Sequence, residues 1–173
     1  MSKNTSCDAS VLINFLKIKR IDLLEKCSHS FFITDHVQDE ITTHYPDQRA
    51  YLERALHQNI LQRANVEASQ EFTIFAELGK SGQLGSGECA AIAVASHRQY
   101  YLAIDDNQAI KKASGLLSSH FILRTQDIVV VMIQEQLLGI DEADDLIETW
   151  AAQHRFKLKI KSFRELVSSP LST

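Results

Sequence analysis

Residues 84–106, LGSGECAAIAVASHRQYYLAIDD, decide the fold. They run from a glycine turn into an alanine-rich apolar helix and then into a short strand, YYLAI, which ends on Asp105 and Asp106. A helix that leads into an apolar strand is typical of a βαβ unit and predicts a parallel sheet. Two adjacent carboxylates at a strand end repel each other unless a cation lies beside them, so the same stretch also predicts a functional site.

The rest of the chain continues the alternation of strands and helices. Helix-spaced apolar residues predict helices such as ASVLINFLKI, while apolar and β-branched runs predict strands. The first strand, KNTSC, is polar and is inferred partly from the helix that follows it. The predicted strands are KNTSC (3–7), SFFIT (30–34), ILQRANV (60–66), YYLAI (100–104), HFILRT (120–125) and the alternating segment FKLKIK (156–161). This order predicts an α/β fold with a parallel sheet covered by helices on both faces.

Length and composition restrict the class of protein. The 173 residues are predicted to form one domain spanning residues 1–173. Three widely spaced cysteines form no CxxC pair, which argues against a zinc knuckle and a disulfide framework. No apolar run is long enough to span a membrane and no signal peptide is recognised, so a cytoplasmic protein is expected. The net charge of −4 gives no overall attraction to nucleic acid, so any such role requires a local basic patch or bound metal ions.

Acidic residues mark the junctions where predicted strands lead into helices. Asp8 follows the first strand, Glu40 lies in the helix after SFFIT, Glu88 begins an apolar helix, and Asp105 and Asp106 follow YYLAI. In a parallel α/β sheet these junctions share the carboxyl edge, where ligands bind. Carboxylate oxygens suit Mg²⁺ or Mn²⁺ better than zinc, and a carboxylate cluster holding such ions is typical of phosphodiester hydrolysis.

Each of these features also has a purely structural explanation. Asp8 and Glu88 are well placed to cap helices, and the sequence leaves that choice open. Asp105 and Asp106 are equally compatible with a turn. The alternating lysines of residues 156–161 are candidates for gripping a nucleic acid, but they also suit an edge strand that lysines keep soluble.

The chain from about Cys7 to Val167 resembles the PIN-domain (PilT N-terminus) nucleases in four ordered blocks. These are DASVLINFLKIKRIDLLEKC, FFITDHVQDEI, LGSGECAAIAVA and YLAIDDNQAIKKA. The third is the most specific, since it is similar to a Gly-x-Gly-Glu-x-x-Ala-Ile-x-x-Ala pattern. The resemblance implies catalytic and metal-binding roles for four acids, with Asp105 as an auxiliary metal ligand and Ser10 as a supporting hydroxyl. The four acids are Asp8, Glu40, Glu88 and Asp106.

The resemblance also implies a fold and an activity. The expected fold is a three-layer α/β/α sandwich with a central parallel sheet, and the expected activity is cleavage of single-stranded RNA with Mg²⁺ or Mn²⁺. Stand-alone bacterial members are often toxins held by a small antitoxin protein, and often homodimers. Lys111 and Lys112, just beyond the fourth acid, are the expected substrate contacts. The alternatives are a catalytically silent PIN-like module that binds protein or RNA, and an RNA-processing or DNA-directed nuclease outside toxin systems.

Overall fold

A five-stranded, all-parallel sheet forms the centre of the molecule. The computed structural model describes residues 3–167, and within that range the strand order is β3-β2-β1-β4-β5. The strands are β1 Lys3–Cys7, β2 His29–Ile33, β3 Leu61–Arg63, β4 Tyr101–Ala103 and β5 Ile122–Leu123. Helices cover the sheet in a three-layer α/β/α arrangement, which confirms the predicted fold class.

The helices follow the predicted segments closely. Either Thr34 or Asp35 could cap α3 (Asp35–His44) from the sequence, and the structure shows that Thr34 does, because its side chain accepts a hydrogen bond from the N–H of Val37 at 3.2 Å. Pro46 opens a short 3₁₀ turn ahead of α4 (Arg49–His57), as expected of a residue with a fixed φ. The helices are α1 Ala9–Lys17, α2 Asp22–Lys26, α3 Asp35–His44, α4 Arg49–His57, α5 Ser69–Gly79, α6 Ser86–Arg98, α7 Asn107–Ala113, α8 Thr125–Gln134, α9 Ile140–His154 and α10 Arg164–Val167.

The polar segment KNTSC is the middle strand of the sheet. β1 pairs with β2 on one side and with β4 on the other, and the polar side chains of Thr5 and Ser6 are buried. Thr5 Oγ1 lies 2.7 Å from Nδ1 of His29, and the hydroxyl of Ser6 donates to the carbonyl of Ala91 at 3.0 Å. Because these groups are hydrogen-bonded, the burial of polar side chains costs little here.

The prediction of a strand over residues 156–161 is wrong. Residues 155–163 contain no helix or strand, and the alternate apolar side chains of the segment pack against the core instead of belonging to a strand of the sheet. After α9 the chain turns back at Arg155 in the left-handed conformation, and the N–H of Phe156 donates to the carbonyl of Trp150. Phe156, Leu158 and Ile160 then pack against the core, while the lysines between them are exposed. The alternation of apolar and charged residues therefore shows correctly which side chains face the core. It does not show that the segment pairs with a neighbouring strand.

A buried ion pair ties α5 to α6. The side chain of Glu71 is fully buried, and it accepts hydrogen bonds from Nε of Arg98 at 2.6 Å and from Nη2 at 3.1 Å. The backbone N–H groups of Glu67 and Ala68 donate to the same carboxylate. Burial alone would raise the pKa of Glu71, but the hydrogen bonds from Arg98 and the two backbone N–H groups lower it to about 2. This pair holds α5 against the helix that carries Glu88.

No helix within residues 3–167 has both the length and the apolar character needed to cross a membrane.

We predict that Glu71→Gln lowers the free energy of unfolding by about 1–3 kcal/mol at pH 7, because Arg98 loses its charged partner in a buried setting. A carboxyl group with a depressed folded-state pKa contributes stability above its ordinary value of 4.5 and loses that contribution as the pH falls toward 2. The difference between wild type and variant should therefore be constant from pH 7 to about 4.5 and shrink below it. Urea unfolding across this pH range measures the difference.

Glu77→Gln is the matched control on the same helix, because Glu77 is exposed and pairs with Lys80 at the surface. Its effect should be less than about 1 kcal/mol. Equal losses for the two variants would show that the Glu71–Arg98 pair does not stabilise the α5–α6 contact.

Candidate active site

Four acidic side chains lie near one another at the carboxyl edge of the sheet. Asp8 directly follows β1 and Asp106 follows β4, while Glu40 lies in the helix after β2 and Glu88 lies in the first turn of α6. Burial and repulsion from Asp8 raise the pKa of Glu40. Burial raises the pKa of Glu88 as well, with added repulsion from Asp8, Asp106 and Glu40. The fold therefore brings together, as electrostatic neighbours, four carboxylates from separate segments.

Asp8 is the most deeply buried of the four, with 2% of its surface exposed. It caps α1: Oδ2 accepts hydrogen bonds from the N–H of Ser10 at 2.9 Å and from its hydroxyl at 2.5 Å. Its other oxygen, Oδ1, is buried and has no hydrogen-bond partner among residues 3–167. Burial is the main reason that the pKa of Asp8 is raised, and the charge of Asp106 adds to it. An unpaired carboxylate oxygen in this position needs a proton or a cation.

Glu88 and Asp106, like Asp8, each use one carboxylate oxygen to accept hydrogen bonds from backbone N–H groups. Oε2 of Glu88 accepts from the N–H of Gly85 at 2.9 Å, and Oδ1 of Asp106 accepts from the N–H groups of Gln108 and Ala109, each at 2.8 Å. The second oxygen of each accepts no hydrogen bond from any of residues 3–167. The capping explanation that the sequence left open is thus correct for Asp8 and Glu88. Asp106, for which the sequence suggested a turn, is also a helix cap. Capping uses only one oxygen of each of the three.

Glu40 approaches α6 closely because position 87 is glycine. A Cβ at Gly87 would collide with Oε2 of Glu40 and would touch the side chain of Val37. A groove of about 530 Å³ opens beside this contact. Its lining residues are His36, Asp39, Glu40, Thr43, His44, Gly85, Ser86 and Glu88. The sequence did not single out His36 and His44, because their positions on the groove follow from the packing of α3 against α6 and not from any spacing motif.

Asp105 differs from its neighbour, since protein donors occupy both of its oxygens. Oδ1 accepts from the N–H of Thr125 at 2.9 Å, and Oδ2 accepts from the Thr125 hydroxyl at 2.6 Å and from Nδ2 of Asn14 at 3.0 Å. The N–H of Asp105 donates to Oγ of Ser10 at 3.1 Å. Burial raises the pKa of Asp105 even though the hydrogen bonds from Thr125 oppose the rise. Its contacts are those of a clamp that holds the end of β4 to α1 and α8.

Two parts of this clamp were missed at the level of sequence. Asn14 interrupts an otherwise apolar helix, and that interruption was the signal that could have identified it. Thr125 offered no such signal, because it belongs to a different segment, and only the tertiary structure places it against Asp105.

Lys111 and Lys112 are exposed residues of α7 and lie apart from the groove at Glu40 and Glu88. Lys112 lines a different, more apolar groove of about 350 Å³ between α5 and the end of α7, together with Ile74 and Leu78. A substrate role for the two lysines therefore remains a prediction, without support from their contacts among the described residues.

The four acids are not arranged as a closed metal cage. Within residues 3–167, no group of three histidine, cysteine, aspartate or glutamate side chains is positioned to enclose a metal ion. The donor set nevertheless fits a hard divalent cation, since it offers carboxylate oxygens only and includes the buried, unpartnered Oδ1 of Asp8. Each of the three capping acids has a second oxygen that is not committed to its helix.

Comparison with known families gives one match. A family model described as a PIN domain matches residues 5–169, nearly the whole chain. No curated protein matches the chain.

We predict unequal stability effects for the two adjacent aspartates. Asp105→Asn places an amide NH₂ among the donors of Thr125 and Asn14, so it should lower the free energy of unfolding by about 1–3 kcal/mol. Asp106→Asn should change it by less than about 0.5 kcal/mol, because asparagine caps a helix as well as aspartate does. Urea unfolding of both variants without metal measures the two effects, and a larger loss for Asp106→Asn would contradict the assignment of Asp105 as the clamp.

Proposed function

The chain belongs to the PIN-domain family, whose members are generally nucleases, and from that premise we propose that it is a divalent-metal-dependent endoribonuclease. The proposed substrate is single-stranded RNA, whose flexible backbone can bend into an edge crevice, whereas duplex RNA is stiff and recognised by shape. Asp8, Glu40, Glu88 and Asp106 are the proposed catalytic acids, with Ser10 supporting Asp8.

One observation carries this proposal: the buried Oδ1 of Asp8 accepts no hydrogen bond from residues 3–167, and Asp8 interacts electrostatically with three other carboxylates, those of Glu40, Glu88 and Asp106. A carboxylate kept only to cap a helix would not need to be buried beside other acids, because repulsion among them destabilises the folded protein. The arrangement is understandable if a cation joins the acids during function.

Mg²⁺ or Mn²⁺ held by free oxygens of the four acids would supply charge neutralisation for the phosphate and activation of water. The protein's own contribution is to hold these oxygens in place. Ser10 fixes one oxygen of Asp8 and also accepts the N–H of Asp105, so it sets the relative positions of the β1 and β4 ends. In the protein without a cation, burial raises the pKa of the Asp8 carboxyl and so favours its protonated form.

A toxin role is the finer part of the proposal. It rests on the resemblance to stand-alone bacterial toxins, and it implies a small antitoxin partner, a homodimer and a cytoplasmic location. We also propose that residues 1–173 form one domain, although residues 1–2 and 168–173 lie outside the described range. A short reading frame for an antitoxin next to this one would support the toxin role. The alternatives are a silent binding module and a processing or DNA-directed nuclease.

The first test of the site is stability with and without metal. In EDTA, we expect Asp8→Asn to raise the free energy of unfolding by about 1–3 kcal/mol, because it removes a carboxyl group whose charged form is disfavoured by burial and by the nearby Asp106. Mn²⁺ at about 100 times its dissociation constant should stabilise the wild type by about 2.7 kcal/mol and leave the variant unchanged. Urea unfolding under both conditions gives the four values.

Asp141→Asn is the control for this test, because Asp141 is an exposed residue in the first turn of α9. It should change stability by less than about 1 kcal/mol and retain the full response to Mn²⁺. An equal response to Mn²⁺ in wild type and Asp8→Asn would remove Asp8 from the site.

The second test is the chemistry of cleavage. Purified protein with Mg²⁺ or Mn²⁺ should cut labelled single-stranded RNA internally, stop with EDTA, and leave a 5′-phosphate and a 3′-hydroxyl. Asp106→Asn should abolish cleavage, whereas Asp105→Asn, which disturbs only a supporting contact, should reduce it by about 10–100-fold. The rate should fall steeply with salt because phosphate contacts are electrostatic.

Analysis of the fragment ends separates this mechanism from one that uses the groove histidines. Attack by the RNA 2′-hydroxyl, with His36 and His44 as acid and base, would leave a cyclic phosphate and continue in EDTA. That result would refute metal-dependent hydrolysis. No cleavage of any nucleic acid by protein free of inhibitor would favour the silent binding module.

A further inference from the structure

A second concave surface lies beside the acidic edge, where the C-terminal segment passes the end of β5. This cavity has a volume of about 360 Å³. It is lined by Asp105, Asn107, Arg124, Gln126 and residues 156–160. Asp105 connects it to the proposed site, since the next residue is Asp106 and adjacent Cα atoms are about 3.8 Å apart.

The cations of this cavity are positioned by the fold. Arg124 is held at the end of β5: its Nη1 donates to the carbonyl of Asp105 at 3.1 Å and its Nη2 donates to Oδ1 of Asn107 at 2.6 Å. A guanidinium has five N–H donors, so others remain for a ligand. Lys157 and Lys159 are exposed, and neither forms an ion pair with any of residues 3–167.

The charge of this surface is only partly offset from within. Burial raises the pKa of Asp105 and of Asp127, and the nearby charge of Arg124 opposes both rises, so these two carboxyl groups lie close to the guanidinium. Lys157 and Lys159 have no such acidic partner among residues 3–167. The lysines cannot be explained as protection of a sheet edge either, because residues 156–161 are not part of the described sheet. Phe156, Leu158 and Ile160 pack on the core and so hold the intervening lysines on the outer side.

We propose that Arg124, Lys157 and Lys159 form a cationic shelf that binds the phosphates of a single-stranded nucleic acid beside the bond to be cut. The inference rests on the proposed nuclease function and extends it to the path of the substrate. A strand that crosses the acidic edge at Asp106 reaches the shelf across Asp105 and Asn107. The acids repel phosphate, so the shelf supplies the affinity that the acidic edge cannot.

The salt dependence of RNA binding tests the shelf without relying on cleavage. Asp8→Asn protein serves as the non-cleaving background, and its affinity for a single-stranded RNA oligonucleotide is measured over a range of salt concentrations. Each phosphate contact contributes about 0.7 to the slope of log affinity against log salt for a single strand. Lys157→Gln together with Lys159→Gln should therefore reduce the slope by about 1.4, and replacing both by arginine should retain it.

The matched control removes two positive charges from the other end of the strands, where β1 and β2 begin. Lys3 begins β1 and Lys26 ends the helix before β2, so Lys3→Gln with Lys26→Gln should leave the slope unchanged. A slope unaltered in the Lys157/Lys159 variant, equal reductions in both double variants, or no RNA binding at all would overturn the shelf. Metal-dependent cleavage by wild-type protein is judged separately, so the nuclease function can stand when the shelf fails.

Discussion

The structure depends on a constraint at the carboxyl edge, where parallel strands end and helices begin. Helix N-termini need acceptors for their free N–H groups, and carboxylates supply them at Asp8, Glu88 and Asp106. Because capping occupies one oxygen of each, it fixes the side chains while leaving a second oxygen available. The same arrangement places like charges near each other, and burial and repulsion raise the pKa of Asp8, Glu40 and Glu88. The site therefore stores an electrostatic cost that a cation would relieve.

A hydrogen-bonded network supports these acids from behind. The indole N–H of Trp150 donates to the carbonyl of Asn14 at 2.8 Å, and the side chain of Asn14 donates to Asp105 and Thr125. The backbone N–H of Asp105 in turn donates to Ser10, whose hydroxyl donates to Asp8. Helix α9 is thus connected to the deepest carboxylate through a chain of hydrogen bonds, which restrains the positions of Asp105 and Asp8.

Two neighbouring surfaces of this protein carry charges of opposite sign. The overall charge of −4 opposes nucleic-acid binding, and the acidic edge adds to that repulsion. The cavity lined by Arg124, Lys157 and Lys159 lies directly beside that edge and carries the opposite sign. A basic surface can bind backbone phosphates of a nucleic acid, while an acidic surface that holds a cation can bind the phosphate next to them. The net charge of the chain alone does not reveal such an arrangement.

The sequence by itself determined the elements and the candidate acids. Periodicity identified the helices, and the apolar runs identified β2 to β5, because burial of one face leaves a regular trace along the chain. The family resemblance pointed to Asp8, Glu40, Glu88 and Asp106.

Only the tertiary structure decided which segments lie next to one another. KNTSC became the central strand because His29 and Ala91 satisfy its polar side chains, and FKLKIK stayed outside the sheet because its apolar side chains pack on the core. Asp105 and Asp106 look alike in sequence, yet Thr125 and Asn14 occupy the first and leave the second partly free. A local pattern records which side of a segment is buried, whereas the partner of a buried polar group comes from residues far away along the chain.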